Sequence, residues 1–524
     1  MKKYSKIRII TVILILLLTL GACSGNGGTA TTTAPGTTPE YKDTLIIATT
    51  AQPPTLDGSL TASQVSLTIA GNIFEQLYTM NKDYEPTPDL AESYAVSDDG
   101  LVYTFKLREG VRFHNGKEMT ADDVVASMNR WLEVSARGKT LLGGSVFAKE
   151  DDYTVTLTVP KVTSDVMTII ATRTFFPVIM PEEVIEAATA EGVQEYIGTG
   201  PYKLQEWRQD QYIHLVKYDD YTTIPGESSA YSGLKSAATP NLFFYFVQDH
   251  STRIAGMKTG EYDIIENVPL ENYDELNTAD GVVLFSKPSG SLNAFFNTQQ
   301  GVLADVKMRQ AVMAALSMDE IMLASYADTA HYTLDPGYMN LNQSQWAVKT
   351  GSEFYNQKNV DKAKQLMEEA GYNGETINLL TTPDYQEMYT ATLVVQEQLR
   401  QAGFTVEVIS QDFPSFMSTK GDFGRWNIFI TSNGYNIIPP MILAVNSSWA
   451  GFDAPEVAAG LTAIREAGSD EEAQQAWADL QQFMYEYGSS TAIGHYNTSM
   501  ATRDNVDGFV FFDLPIYWNA VVTK

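Results

Sequence analysis

Cysteine is almost absent from this chain: among 524 residues only Cys23 carries a thiol. No intramolecular disulfide can form, and neither a CxxC redox pair nor a cysteine-based zinc site is available. Histidine is scarce as well. The five residues His114, His214, His250, His331 and His495 are scattered, with no HExxH and no two at i, i+4, so they compose no metal site. Basic side chains number 35 against 64 acidic ones. The resulting net charge of −29 repels nucleic acid and anionic lipid headgroups, and no basic patch stands out. Long apolar runs are missing too. The longest, Ile9–Leu20, has twelve residues, short for a membrane span and right for the core of a signal peptide.

What is plentiful points to large cores. Hydrophobic residues make up 44% of the chain, with 28 Tyr, 23 Phe and 7 Trp, which excludes global disorder. The length predicts two to four domains. Residues 1–23 read as a basic leader ending in Leu20-Gly21-Ala22-Cys23, a lipobox whose cysteine becomes lipid-modified and ties the body to a membrane outside the cytoplasm. Without the leader's Lys2, Lys3, Lys6 and Arg8, 31 basic side chains face 64 acidic ones, a net charge of −33. Residues 24–40 are rich in Gly, Thr and Pro and read as a flexible tether with a reach of roughly 20–25 Å.

The stretch from Pro86 to Glu133 is the most structured on the page. Leu101, Tyr103, Phe105 and Leu107 alternate with Val102, Thr104, Lys106 and Arg108, which predicts a half-buried strand. A second strand is expected around Val111 and Phe113, turned at Asn115-Gly116. Thr120 and Asp123 form a capping box, and Val124, Val125, Met128 and Trp131 make one helical face. Further on, Thr44–Thr50, Asp152–Pro160 and Gln211–Thr222 read as strands, and Asn359–Tyr372 as a helix. Ala391–Ser410 reads as a helix stopped at Gly403 and followed by a strand. Helix–glycine–strand units imply layered α/β architecture.

Enzyme motifs are thin. There is no GxSxG, no Walker lysine loop and no distinctive carboxylate pair. Gly198-Thr199-Gly200 is followed by strand-like sequence and no lysine, so it is no phosphate loop. Ser232-Gly233-Leu234-Lys235 and Lys258-Thr259-Gly260 match penicillin-binding fragments, but only 23 residues separate Lys235 from Lys258, leaving no room for an intervening domain.

The wording of Pro88–Val96 (P-x-LAES-x-x-V), Asp98–Phe113 (DDGL-x-Y-x-F-x-LR-x-GV-x-F) and Thr120–Arg130 closely resembles the solute-binding proteins of peptide-type ABC importers, the oligopeptide-, dipeptide- and nickel-binding family. Asn72–Tyr78, Arg173–Pro181, Gly198–Tyr202, Arg253–Ile264 and Asp305–Ile321 extend the likeness, the last as one helix. The resemblance implies a two-lobed α/β periplasmic-binding-protein fold with an extra inserted domain and a hinge between the lobes. It divides the chain into a discontinuous domain I (42–80, 200–297 and 496–524), an inserted domain II (81–199) and a domain III (298–495). It implies no catalysis and no cofactor or metal. The implied partners are a small peptide-like solute and an ABC permease with its ATPase, the protein itself being a monomer.

Site residues follow from matching loops. Trp131 and Tyr435 are candidate stacking platforms, Arg173 a candidate anchor for a ligand carboxylate, and Tyr496 and Asn497 lie where the chain returns to domain I. Asn436 stands where peptide-binding relatives keep an aspartate for the free amino terminus, unless Asp412 or Asp422 supplies that charge. A buried ammonium without a counter-charge is costly, so oligosaccharides, modified peptides and metal chelates stay open beside free-amine peptides. Two other classes, a cell-surface hydrolase and an adhesin, lack a supporting motif.

Overall fold

The computed structural model describes residues 39–524; the leader, Cys23 and most of the tether lie outside the described residues. The alternation in the Pro86–Glu133 stretch gives the strand Val102–Leu107, with Tyr103, Phe105 and Leu107 buried. It lies between Ala91–Val96 and Thr154–Thr158, and Val146–Asp151 completes a four-stranded antiparallel sheet. Thr120 and Asp123 form the reciprocal capping box that starts the helix Ala121–Val134. Val124, Met128 and Trp131 on that helix are fully buried. The helix lies over this sheet, as its amphipathic face requires.

Two expectations change. The strand expected around Val111 and Phe113 shrinks to a single bridge, Arg112 to Glu118. Phe113 and Gly116 close a tight turn on each other, with Gly116 at φ +86°, and the next amide, His114, bonds the Gly198 carbonyl at 2.9 Å instead of extending a ladder. The helix expected over Asp305–Ile321 is two helices, Val306–Ala315 and Met318–Tyr326. Between them a buried amide does the work of helical bonds. Gln398 Oε1 accepts from the Ser317 N–H at 3.0 Å, and its Nε2 donates to the Ser317 carbonyl at 3.2 Å.

The main sheet has eleven strands of mixed direction. Two long antiparallel strands, Val282–Phe296 and Ser490–Arg503, run through its middle. On one side lie Ile264–Ile265, Thr44–Thr49, Asn241–Phe246, Tyr212–Lys217 and Tyr202–Arg208; on the other lie Ile428–Gly434, Thr376–Thr381 and Thr405–Ser410, and the short Tyr332–Thr333 pairs off this order with Ser490–Arg503. Because the two run antiparallel, the first portion of Val282–Phe296 and the last portion of Ser490–Arg503 serve one half of the sheet, and their other portions serve the other half. Val282–Pro288 pairs with Asn497–Arg503, whereas Gly290–Phe296 pairs with Ile428–Gly434 as well as with Ser490–Tyr496. The register shifts between Pro288 and Gly290. Gly290 is required there, because a Cβ would run into the Asn433 carbonyl and the Tyr496 hydroxyl. Among the described residues no helix is long and apolar enough to cross a membrane.

Candidate ligand cleft

The segment Gly434–Ile437 leaves the strand Ile428–Gly434 and runs between two cavities. The smaller, about 500 Å³, is lined by Gly434, Tyr496, Thr498 and Lys287, with Thr50, Gln64, Glu266 and Asp513 also in its wall. The larger, about 730 Å³, sets Ile437, Gln343, Trp346 and Glu471 against Tyr84, Glu85, Tyr94 and Tyr103 of the 81–199 region.

Aromatic side chains and amides hold the segment in place. The Tyr435 hydroxyl hydrogen-bonds Nδ1 of His495, and the two rings stack with centroids 5.6 Å apart. Burial pushes His495 down to about 4, so the ring is neutral at physiological pH. The Tyr496 ring stacks on Tyr326 at 5.8 Å with an interplanar angle of 7°, and burial pushes its phenol up to about 12. Gln343 Nε2 donates to the Asn436 and Ile437 carbonyls at 3.2 and 3.3 Å. Tyr84 has an uncommon backbone for an aromatic residue, φ +63°. Asn340 Nδ2 donates to its hydroxyl at 3.2 Å, and its ring sits 4.7 Å from that of Phe512.

Of the six candidate binding residues, Tyr496 lines the smaller cavity, while Tyr435 and Asn436 lie on the segment between Gly434 in the wall of one cavity and Ile437 in the wall of the other, and line neither. Asn497 is adjacent, but its Nδ2 is committed to the Ala330 carbonyl at 3.0 Å. Trp131 is elsewhere: fully buried, it donates from Nε1 to the Phe175 carbonyl at 2.6 Å. Arg173 is also buried, its guanidinium 4.4 Å from the Tyr231 ring centre and 4.9 Å from that of Phe176. Its Nη1 reaches the Gly71 carbonyl at 3.4 Å, while Nε and Nη2 lack a partner. Burial lowers its pKa, against the pull of Tyr231 and the carboxylates of Asp89, Glu75 and Asp513. The alternative carboxylates Asp412 and Asp422 are exposed and accept from the Ser415 and Gly424 amides. Neither lines the two cavities.

Sequence reasoning missed a buried charge cluster. Lys235, the lysine of the penicillin-binding-like fragment, donates to Glu75 at 2.7 Å and to Asp89 at 2.9 Å, with all three side chains at most 3% exposed. Burial pushes the Glu75 carboxyl up; at Lys235 burial is outweighed by Asp89 and Glu75, which hold the ammonium charged. Asp89 lies inside the P-x-LAES wording, so its presence was visible and its partner was not. Lys287 and Asp513 in the smaller cavity carried no sequence signal. Among the described residues no group of three or more His, Cys, Asp or Glu side chains could hold a metal ion.

This architecture, a split sheet with a cleft lined from several parts of the chain, is that of a two-lobed binding protein. The sequence model of the bacterial extracellular solute-binding proteins, family 5 (middle) matches residues 85–450, and the chain belongs to that family. It is 26% identical over 489 residues to a probable peptide ABC transporter periplasmic-binding protein, y4tO, of Sinorhizobium fredii, covering 88% of this chain and 90% of the relative. It is 22% identical over 549 residues to the oligopeptide-binding protein AppA of Bacillus subtilis, covering 97% of each. Among solved structures, the ABC transporter substrate-binding protein CtaP of Listeria monocytogenes superposes with a TM-score of 0.81 at 21% identity, over 93% of this chain and 100% of that one. The fold is therefore the α/β periplasmic-binding-protein fold that the sequence resemblance implies.

Proposed function

We propose that the chain is the extracytoplasmic solute-binding component of an ABC importer and captures a peptide or peptide-like solute along Gly434–Ile437. The observation that supports this reading best is the position of that segment, with a cavity on each side whose walls come from separate parts of the chain. An extended solute lying there would touch several parts at once, and only with the cleft shut. That differential contact is what lets a ligand shift an open–closed equilibrium. Tyr435 and Tyr496 supply stacking faces, and Asn436 supplies a neutral hydrogen-bonding amide. Trp131 and Arg173, packed elsewhere, are left out of this site, as is the committed Asn497. The pivot of this reading lies at the irregularity between Pro288 and Gly290, the first of two register shifts in that ladder, the second falling between Leu292 and Asn293; both precede the expected domain boundary after Asn297. The names of y4tO and AppA support a peptide and an ABC transporter.

In this reading the protein is non-enzymatic, acts as a monomer, and hands its solute to a permease–ATPase complex. A lipid on Cys23 and the tether after it keep the body within reach of that partner. A thermal-shift screen with peptide, oligosaccharide and metal-chelate panels tests the solute class, because a ligand that binds only the native state raises its melting temperature. Peptides are expected to raise it. If peptides leave it unmoved while sugars or chelates raise it, the peptide reading is refuted.

A further inference from the structure

We infer that the inserted region carries a latch, Thr163-Ser164-Asp165, that closes on the end of the helix Pro455–Arg465 and positions the walls of the cleft for binding. Arg465 grips Asp165 with two nitrogens, Nε to Oδ2 at 2.9 Å and Nη2 to Oδ1 at 3.2 Å, and Nη2 also donates to the Leu141 carbonyl at 2.7 Å. Thr163 Oγ1 holds the same carboxylate at 2.6 Å. Ser164, meanwhile, serves the helix end itself. Its N–H donates to the Arg465 carbonyl at 2.7 Å and its hydroxyl to the Ile464 carbonyl at 3.0 Å. The last carbonyls of a helix have no partner within it; here two of them are satisfied by a segment some 300 residues away in sequence.

The position of this contact gives it more than a packing role. Ser164, Met167 and Thr168 line the 730 Å³ cavity, so the latch forms part of that cavity's wall. The ion pair is largely out of water, with 15% of the Arg465 side chain and 7% of the Asp165 side chain exposed. Two-pronged, charge-assisted bonds of this kind are strong and directional. The neighbouring Lys161–Glu466 pair, at 3.5 Å and about half exposed on each side, adds little. The latch can form only when the cavity walls stand this close, so its free energy favours the shut cleft. Binding is weakened by whatever fraction of molecules is not shut, which makes Asp165 and Arg465 positioning residues rather than ligand contacts.

The inference rests on the cleft being the solute site, but its test needs no solute. Amide hydrogen exchange is followed in the full, ligand-free chain and in its Asp165→Asn variant. Asp165 stands at the start of the short helix Val166–Ile170 without a side-chain cap bond, so asparagine does not unseat that helix. Exchange is expected to rise roughly tenfold or more at residues 161–166 and 464–466, and also at the remote cleft segments 343–346 and 434–441. The strands Val102–Leu107 and Thr154–Thr158 should remain protected, which shows that the variant is folded. The swapped pair Asp165→Arg with Arg465→Asp should restore protection in the cleft. Faster exchange confined to residues 161–166 and 464–466 would overturn the proposal and leave a local surface tie. If Asp165→Asn fails to fold, Ser164→Ala, which removes one hydroxyl, should produce the same pattern more weakly, and no effect in the cleft would again overturn it. A failed peptide screen alongside a positive exchange result would locate the error in the solute class and not in the latch.

Discussion

Acidification should weaken this fold through two imidazoles. His114 Nε2 lies 3.0 Å from the Gly200 carbonyl, and its Nδ1 accepts from the Gly198 N–H at 3.3 Å, an arrangement that only the neutral ring satisfies. His495 Nδ1 shares a hydrogen bond with the Tyr435 hydroxyl, and its ring is buried. Burial pushes both rings down from 6.5 to about 4. In the unfolded chain they titrate near 6.5, so between that pH and 4 the unfolded state binds more protons than the folded one. Stability therefore falls as pH falls through this window and is fully present above it. Between pH 7.5 and 4.5 each ring should cost about 2.5 kcal/mol. The assay is urea unfolding at pH 7.5, 6.0 and 4.5 on wild type, His114→Gln and His495→Gln. Carboxylates also lose stability in acid, but they are common to all three proteins, so the difference in slope isolates each imidazole. Each variant should lose about 2.5 kcal/mol less than wild type over this range. Equal slopes in all three would mean that the buried rings are charged in the folded protein, and the reasoning from burial would fail.

Four further outcomes follow from individual residues. Gly116→Val should destabilise by more than about 1 kcal/mol through backbone strain alone, since an added Cβ at φ +86° meets nothing within 4 Å; an unchanged melting curve would contradict this. Lys235→Met should cost about 3–5 kcal/mol in urea unfolding, because it leaves Glu75 and Asp89 buried beside each other without their cation, whereas a loss below about 1 kcal/mol would show that the cluster is hydrated. Asn436→Asp should improve binding of a free-amine peptide over its N-acetylated twin by roughly tenfold to a hundredfold in calorimetry, and equal tight binding of both peptides by wild type would place the amine elsewhere. Cys23→Ser should release the protein from membranes and abolish fatty-acid labelling; retention with undiminished label would sink the lipid-anchor reading.

Local structure was legible in the sequence where it depends on short-range chemistry. The capping box at Thr120 and Asp123, the strand through Tyr103 and Phe105, and the helix ending at Gly403 are each specified within a few residues. The break at Leu316–Ser317 was not legible, because the amide that sustains it, Gln398, lies 81 residues further along. The site divides in the same way. Tyr435, Asn436 and Tyr496 are candidates nominated from loops that resemble those of the family, and what the structure adds is their neighbourhood: Tyr435 against His495 and Tyr496 against Tyr326. Trp131 was drawn in by its aromatic surface, yet it stands on the same helical face as Val124 and Met128, and that periodicity already argued for core. No local pattern announces that Lys235 meets Glu75 and Asp89, since the partners lie 160 and 146 residues away.

That charge cluster bears on which parts of the molecule can move. Glu75 and Asp89 flank the point where the chain leaves the first half of the sheet for the inserted region. Where the chain returns, Thr199 donates to Glu75 at 2.9 Å, and Tyr221 beyond it donates to the same carboxylate at 2.8 Å. Both crossings are thus pinned to one buried carboxylate and its lysine. Separating the inserted region from that half would strand charges in an apolar setting, at a cost of several kcal/mol for each ion. Bending the two long strands at the Pro288–Gly290 irregularity breaks no such cluster, because the ladder is already interrupted there. Closure at that point would carry the inserted region and the first half together against the second half. The contacts made and lost in closing would then be those that bridge the 730 Å³ cavity, the Tyr84–Asn340 bond and the Asp165–Arg465 pair among them.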